Sequence, residues 1–265
     1  MRVLVTGCST GIGRALAVEL ARRGHHVIAT ARRAEMLVDL PVAERLSLDV
    51  ASDASVAALG AAAADVDVLV NNAGVSVWGA VESPDMADIR RLYETNVFGP
   101  IRMAKAVLPG MRARRSGAIY QISSAAGQRA TGLLGHYSSS KAALDAYSQA
   151  MRIELAPFGI KVCSVVLGAV ESSFGVNRTD ASADAYALLE ERVRAKIALS
   201  RTAPATAEAV AARIADSIEA GDPPMRLDGS GDGFALVEQR RAQDDETWEH
   251  ATLTGLFPEG FGASN

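Results

Sequence analysis

Tyr137 and Lys141 stand four residues apart in the stretch Tyr137-Ser138-Ser139-Ser140-Lys141, and Ser124 precedes the tyrosine by thirteen positions. On a helix, a spacing of four puts both side chains on one face, which brings the ammonium near the phenol. At a separation of ~5 Å and an effective dielectric of ~20, Coulomb's law gives about 3 kcal/mol in favour of phenolate, roughly two pKa units below tyrosine's usual value. The pair would then be an acid–base group usable near neutral pH. Ser124 offers a neutral hydroxyl able to donate to a carbonyl oxygen as that oxygen gains negative charge. Taken alone, a tyrosine with a lysine one turn away is equally an amphipathic surface pair, so the elements that carry these residues decide between the readings.

Those elements alternate. An apolar strand over residues 2–5 runs into Thr6-Gly7-Cys8-Ser9-Thr10-Gly11-Ile12-Gly13, and a helical pattern over 12–23 carries Ile12, Leu16 and Leu20 and closes at Gly24. Strands are predicted over 26–30, 46–50, 66–71, 118–123 and 161–167, with helices between them that include 86–111 and 136–155. Apolar strands alternating with helices imply parallel pairing, right-handed crossovers and cover on both faces. The expected fold class is α/β, a doubly wound parallel sheet of Rossmann-like type, in one domain over 1–265 with no repeat or linker. Residues 172–206, with a helical stretch near 186–197, are long enough to form a lid over a site. Residues 222–265 form a C-terminal extension.

A glycine-rich turn between the first strand and first helix aims backbone N–H groups and the positive helix end at a phosphate, and lets a pyrophosphate approach closely. Gly7, Ser9, Thr10, Gly11, Ile12 and Gly13 are therefore expected to hold a dinucleotide. Turns and tight helix packing also recruit glycine, so the loop gains force from its place after the first strand.

Composition excludes several other classes. The 265 residues are 49% hydrophobic and 22% charged with a net charge of −4, which gives no electrostatic reason to expect a nucleic acid or an anionic membrane as partner. The run Arg112, Arg114, Arg115 reads as a solvated helix end. Cys8 and Cys163, the only cysteines, suggest small buried hydrophobes rather than a disulfide or metal site. The start Met1 to Val5 leaves no room for a leader, and no run of about 18 apolar residues follows. A cytoplasmic location is expected, so the sequon at Asn177 is idle.

The spacing Gly7, Gly11, Gly13 with Thr6 in front resembles the short-chain dehydrogenase/reductase family, and further pieces fall in that family's order. Asn71-Asn72-Ala73-Gly74 follows the fourth strand, Asn96 stands in the long helix, Ser123-Ser124 ends the fifth strand, and the Tyr137–Lys141 pair comes after it. The resemblance implies a catalytic set of Asn96, Ser124, Tyr137 and Lys141, in which Lys141 also meets the cofactor ribose and Asn96 holds a water that links Lys141 to solvent. It also implies cofactor contacts from Asn72, Ala73 and Gly74, and from Asp49 against the adenine with Val50 beside it. Asp49 reads alternatively as a turn or N-cap aspartate. After the sixth strand the family pattern P-G-x-V-x-T is met by Leu167-Gly168-Ala169-Val170-Glu171-Ser172. Gly168, Val170 and Ser172 are retained as cofactor contacts, while the missing proline should loosen the turn.

The second strand ends in Ala31-Arg32-Arg33 with no acid. An acid there would bind the ribose 2′-hydroxyl and an arginine a 2′-phosphate, so NADP(H) is expected over NAD(H), with Arg32 the first contact and Arg33 the second. Trp78, Leu133, Leu134 and Phe174 are the candidate substrate residues, with Arg129 and His136 as polar contacts; this lining predicts a lipophilic ketone, aldehyde or alcohol. Each of these side chains also reads as ordinary core. By analogy of fold, the helices over 86–111 and 136–155 would pack against a second subunit in a homodimer or homotetramer. The alternatives are a 3-oxoacyl reductase whose Arg112, Arg114, Arg115 and Arg129 meet an acidic carrier protein, which needs one basic patch at the pocket mouth, and a non-enzymatic NADP(H)-sensing protein. Sugar epimerases usually have another glycine spacing and a larger C-terminal portion.

Overall fold

The structure, a computed structural model, describes residues 1–171, 178–200 and 203–260. The chain opens with β1 (Arg2–Val5), α1 (Gly11–Arg22), β2 (His26–Ala31), β3 (Glu44–Ser47), α2 (Asp53–Ala57), α3 (Ala61–Ala64) and β4 (Val68–Asn71). Next come β5 (Ser76–Trp78), α4 (Met86–Tyr93), α5 (Gly99–Arg114), β6 (Gly117–Ile122), α6 (Gly135–Leu155), β7 (Ile160–Val166) and β8 (Val170–Glu171). The remainder is β9 (Arg178–Asp180), α7 (Ala187–Ser200), β10 (Ala205–Thr206), α8 (Ala207–Ala220), β11 (Arg226–Asp228), α9 (Gly233–Arg241) and α10 (Asp245–Leu256).

Seven strands form one parallel sheet in the order β11-β7-β6-β4-β1-β2-β3. Side chains of successive strand residues point to opposite faces, and both faces of this sheet are covered. Val3 and Val5 of β1 pack with Leu16, Ala17 and Leu20 of α1 and with Ile214 and Ile218 of α8. Leu4, between them, packs on the other face with Met103, Val107 and Met111 of α5. This is the doubly wound fold. The order reverses between β1 and β4, so the loops after these two strands diverge and open a crevice at their C-terminal ends.

Three expectations need correction. The third strand is Glu44–Ser47 rather than 46–50: it is the sheet edge, it alternates polar residues, and Glu44 takes Arg2 at 3.1 Å and His26 at 2.7 Å. Apolar character therefore peaks past its end, where Leu48 N–H still donates to Ala31 O at 2.8 Å before the chain turns away. The helix expected over 86–111 is α4 and α5 joined by a π-helical turn, Glu94–Phe98, that contains Asn96; such turns interrupt helices where a side chain is needed in a particular direction. A seventh strand, β11, went unseen because its three residues Arg226, Leu227 and Asp228 carry no apolar run; it borrows its place from β7 through the pairing of Leu227 with Val165. Outside the main sheet, β5 pairs with β9 and β8 with β10, which ties two strands of the region expected to form a lid to the segments after β4 and β7. Among the described residues no helix is long and apolar enough to cross a membrane.

Candidate active site

The loops after β1 and β4 are locked together before anything binds between them. Thr6 Oγ1 accepts N–H bonds from Asn72 and Ala73, each at 3.0 Å, and Asn72 Nδ2 donates to Thr6 O at 2.9 Å and Gly7 O at 3.2 Å. So close an approach leaves no room for side chains. A Cβ on Gly7 would lie 2.8 Å from Ala73 Cα, and Gly7 sits at φ +74°. A Cβ on Gly13 would lie 2.3 Å from Asn72 Nδ2 and 2.5 Å from Gly7 O. Thr10 caps α1 without a side-chain bond, and no acid sits in the first turn, so the first N–H groups of the helix face the crevice unspent. This cradle fits the pyrophosphate of a nicotinamide dinucleotide.

The crevice encloses a cavity of 830 Å³. Gly7, Ser9, Thr10, Gly11 and Ile12 line it after β1, and Asn72, Ala73 and Gly74 after β4. Gly13 stands behind the loop as packing rather than on the wall. Arg32, exposed, lines the cavity beyond β2, together with Asp49 and Val50. Arg33 does not: its guanidinium turns to the Met36 sulfur at 3.4 Å. Adjacent residues on an extended chain point apart, which is why only one of the two arginines reaches the cavity. Asp49 lies beyond β3, and its Oδ1 accepts Ala51 N–H at 3.0 Å, which is the geometry of a turn aspartate on the cavity wall.

Gly168 and Val170 also line the cavity, and Ser172 lies outside the described residues. Proline is absent here, yet the turn is held: Gly168 N–H donates to Ser230 Oγ at 2.7 Å and Ala169 N–H to Asp232 Oδ2 at 3.0 Å, while Ser230 Oγ donates to Asp232 Oδ1 at 2.5 Å. A polar buckle from the segment after β11 replaces the fixed φ that proline would supply, so the expected loosening does not occur. Sequence reasoning missed Ser230 and Asp232 because nothing local to them signals a partner more than sixty residues away.

Ser124, Tyr137 and Lys141 come together on the wall. Ser124 follows β6 and hydrogen-bonds the Tyr137 phenol, with its oxygen also accepting Ala126 N–H at 3.2 Å. Tyr137 and Lys141 lie on the inner face of α6, and the Lys141 Nζ sits 5.8 Å from the tyrosine ring centroid and donates to Ile122 O at 2.7 Å. Burial reverses the expected charge balance. Loss of water pushes the phenol up to about 12 against the pull of the Ser124 bond, and pushes Lys141 down to about 8 against the Asp145 carboxylate one turn further along. The Coulomb argument left out desolvation, which raises the phenol and outweighs the lowering by Ser124. The direction of the shift favours the neutral phenol over a standing phenolate.

Asn96 is 1% exposed and stands behind the wall. Its Oδ1 accepts Val75 N–H at 2.9 Å, and its Nδ2 donates to Val75 O at 2.9 Å and Ser140 Oγ at 3.1 Å. Both amide protons are spent, so the side chain is a clamp between the segment after β4 and helix α6 rather than an open donor to a water.

Of the expected substrate residues, Trp78 and Leu134 line the cavity. Leu133 takes φ +66° and turns into the cluster of Trp78, Val193 and Leu256 behind the wall; Phe174 and the sequon residue Asn177 lie outside the described residues. His136 faces Val81 O at 2.9 Å instead of the cavity. Arg129 is on the wall, and sequence reasoning missed Arg91, Arg178 and Arg194 beside it. The wall is therefore mixed rather than mainly apolar. Arg114 and Arg115 do not join Arg129 in the expected patch: Arg114 donates to Ala64 O and Val66 O and Arg115 to Pro157 O, at the end of the sheet where β6 begins, opposite the cavity. Cys8 and Cys163 are buried in the core and pushed up to about 12, which leaves them unreactive thiols.

A parallel sheet with a dinucleotide cradle at its switch point and a Ser–Tyr–Lys cluster beside it defines a Rossmann-type oxidoreductase architecture. Residues 1–183 match the family model described as short chain dehydrogenase, and the chain belongs to that family. It is similar to a short-chain dehydrogenase from Streptomyces avermitilis, with 36% identity, a TM-score of 0.79, and coverage of 98% of this chain and 99% of that one. A short chain dehydrogenase from Burkholderia cenocepacia J2315, solved in complex with NADP, shares 25% identity over 96% of this chain and 97% of that one, with a TM-score of 0.77. Human retinol dehydrogenase 8 is 40% identical over 185 residues, 65% of this chain and 60% of that protein. The chain spans about two thirds of the length of such curated relatives, between 60% and 66%.

Gly13→Ala tests the cradle. The added Cβ must displace Asn72 Nδ2 and the Gly7 carbonyl, an overpacking cost of about 1–3 kcal/mol, so thermal denaturation should show a lower Tm and fluorescence titration at least tenfold weaker NADPH binding.

Proposed function

We propose that the chain is an NADP(H)-dependent oxidoreductase that interconverts a ketone or aldehyde and an alcohol on a small molecule with an apolar body. The observation that carries this reading is the presence of Ser124, Tyr137 and Lys141 on the wall of the same cavity as the glycine cradle. When bound, NADPH supplies the hydride. Tyr137, half-buried on the wall and favoured in its neutral form, gives its phenolic proton to the carbonyl oxygen; Ser124 donates a hydrogen bond to that oxygen as charge builds on it. The ammonium of Lys141 stabilises the phenolate left behind, and Asn96 holds α6 in place through Ser140. In the opposite direction the same groups accept the proton of the alcohol.

Arg32 supports NADP(H) over NAD(H). It stands on the cavity wall, free of any side-chain partner among the described residues, and no acid occupies the end of β2. The NADP complex of the Burkholderia relative agrees with this reading, and the retinol dehydrogenase agrees with an apolar substrate body. Of the segment expected to form a lid, α7 presents Arg194 and Ile197 to the cavity. Exposed Phe98 beside α5, and Tyr147 and Ile153 on α6, favour assembly through these helices as a homodimer or homotetramer.

Tyr137→Phe should lower NADPH-driven ketone reduction by at least a hundredfold while NADPH binding stays within about threefold. Substantial remaining turnover would remove the phenol as the acid, and NADPH binding with no turnover in the native protein on any carbonyl would favour the sensor. Arg32→Asp should swing the kcat/KM ratio of NADPH to NADH toward NADH by at least tenfold, and an unchanged ratio would take Arg32 out of the site.

A further inference from the structure

Four arginines, Arg91, Arg129, Arg178 and Arg194, share the cavity wall around Trp78 and the loop after Ser124. Three of them have counter-charges. Arg91 reaches Asp88 at 2.8 Å, Arg178 reaches Asp180 at 2.6 Å, and Arg194 lies 3.7 Å from Glu190. Arg129 has no carboxylate within 4.0 Å among the described residues, and no Asp or Glu occurs in 172–177, 201–202 or 261–265. Its Nε is buried with no hydrogen-bond partner among the described residues. Of the two acids on the wall, Asp49 belongs to its own turn and Asp232 is engaged by Ser230 and Ala169.

The guanidinium of Arg129 is held in place as well as deprived of water. It lies 5.1 Å from the centroid of the Trp248 ring on α10, with Arg240 5.4 Å from the same ring, and its own N–H donates to Ala125 O at 2.8 Å in the turn that follows Ser124. Arginine keeps its proton under all ordinary conditions, so a half-buried guanidinium without a counter-charge carries an unmet desolvation cost. The C-terminal extension thus positions a planar, forked donor on the wall five residues from Ser124.

We infer that Arg129 is a specificity residue that binds a carboxylate on the substrate, so that the substrate class is an oxo acid, or the matching hydroxy acid, with an apolar segment between the carboxylate and the reacting carbon. This rests on the oxidoreductase reading above and adds the anionic group. A guanidinium meets a carboxylate through two parallel N–H bonds, which neutral esters and amides cannot reproduce. Trp78, Leu134 and Ile197 provide the apolar stretch of wall.

The test reads binding without turnover. Isothermal titration of 4-phenylbutyrate and of 4-phenylbutyramide into the NADP⁺-saturated full chain should show the acid binding at least tenfold tighter than the amide, the size of one charge-assisted pair. Arg129→Gln should bring that ratio to within about threefold of unity, with the Tm unchanged within a few degrees. Should the glutamine variant lose its melting transition, Arg129→Lys, which keeps the charge and loses the fork, should narrow the ratio by at least half. Equal binding of acid and amide, binding of neither, or a preference that survives both substitutions would overturn the assignment. Ketone reduction is scored separately: absent turnover with an intact, Arg129-dependent preference removes the reductase reading and leaves the carboxylate site standing.

Discussion

The exclusion of water from the inner face of α6 governs how this site works. Tyr137 and Lys141 project into a region where Lys141 is 5% exposed and its ammonium donates to the Ile122 carbonyl. In water the pair would be an ammonium and a neutral phenol with little influence on each other. Out of water, each charged form is penalised, and the penalty on phenolate outweighs the pull of the Ser124 hydrogen bond. The result is an acid held in its protonated form next to a cation poised to lose its own proton.

That dry face exists because the sheet places it. Parallel β6 lies between β4 and β7, and α6 packs over β6 and β7 with Asp145 receiving Ser164 Oγ at 2.6 Å and Gln128 Nε2 at 3.2 Å. On the other side of the switch point, Thr6 and Asn72 tie the loops after β1 and β4 into one rigid cradle. The glycines are required by that closeness, and the closeness is what lets a phosphate chain lie against backbone. Asn96 joins the two halves, since its amide bonds both the segment following the cradle and Ser140 on α6.

Much of this was legible in the chain itself. The glycine spacing, Asn72, Ser124, Tyr137 and Lys141 are local signals, each carried by a strand end or a helix face that periodicity also reveals, and all but the packing glycine Gly13 line one cavity. What stayed hidden depends on distance or on burial. The sign of the tyrosine's shift needs the desolvation that only the folded state defines. Ser230 and Asp232 replace a missing proline from more than sixty residues away. Leu133 left the wall through one left-handed backbone angle, and Arg33 through the alternation of an extended chain. β3, a polar edge strand, defeated an apolar search, and the three-residue β11 was too short to show a period.

The pH dependence of kcat/KM for NADPH-driven ketone reduction tests the central claim most directly. Tyr137, pushed up to about 12, keeps its proton through the accessible range and makes no limb. Lys141, pushed down to about 8, is charged below that pH and loses its proton above it. Reduction is therefore expected to hold level through neutral pH and to fall about tenfold per unit above about 8. A rate that stays flat to pH 10, or rises through 8, would contradict an acid that relies on the charge of Lys141.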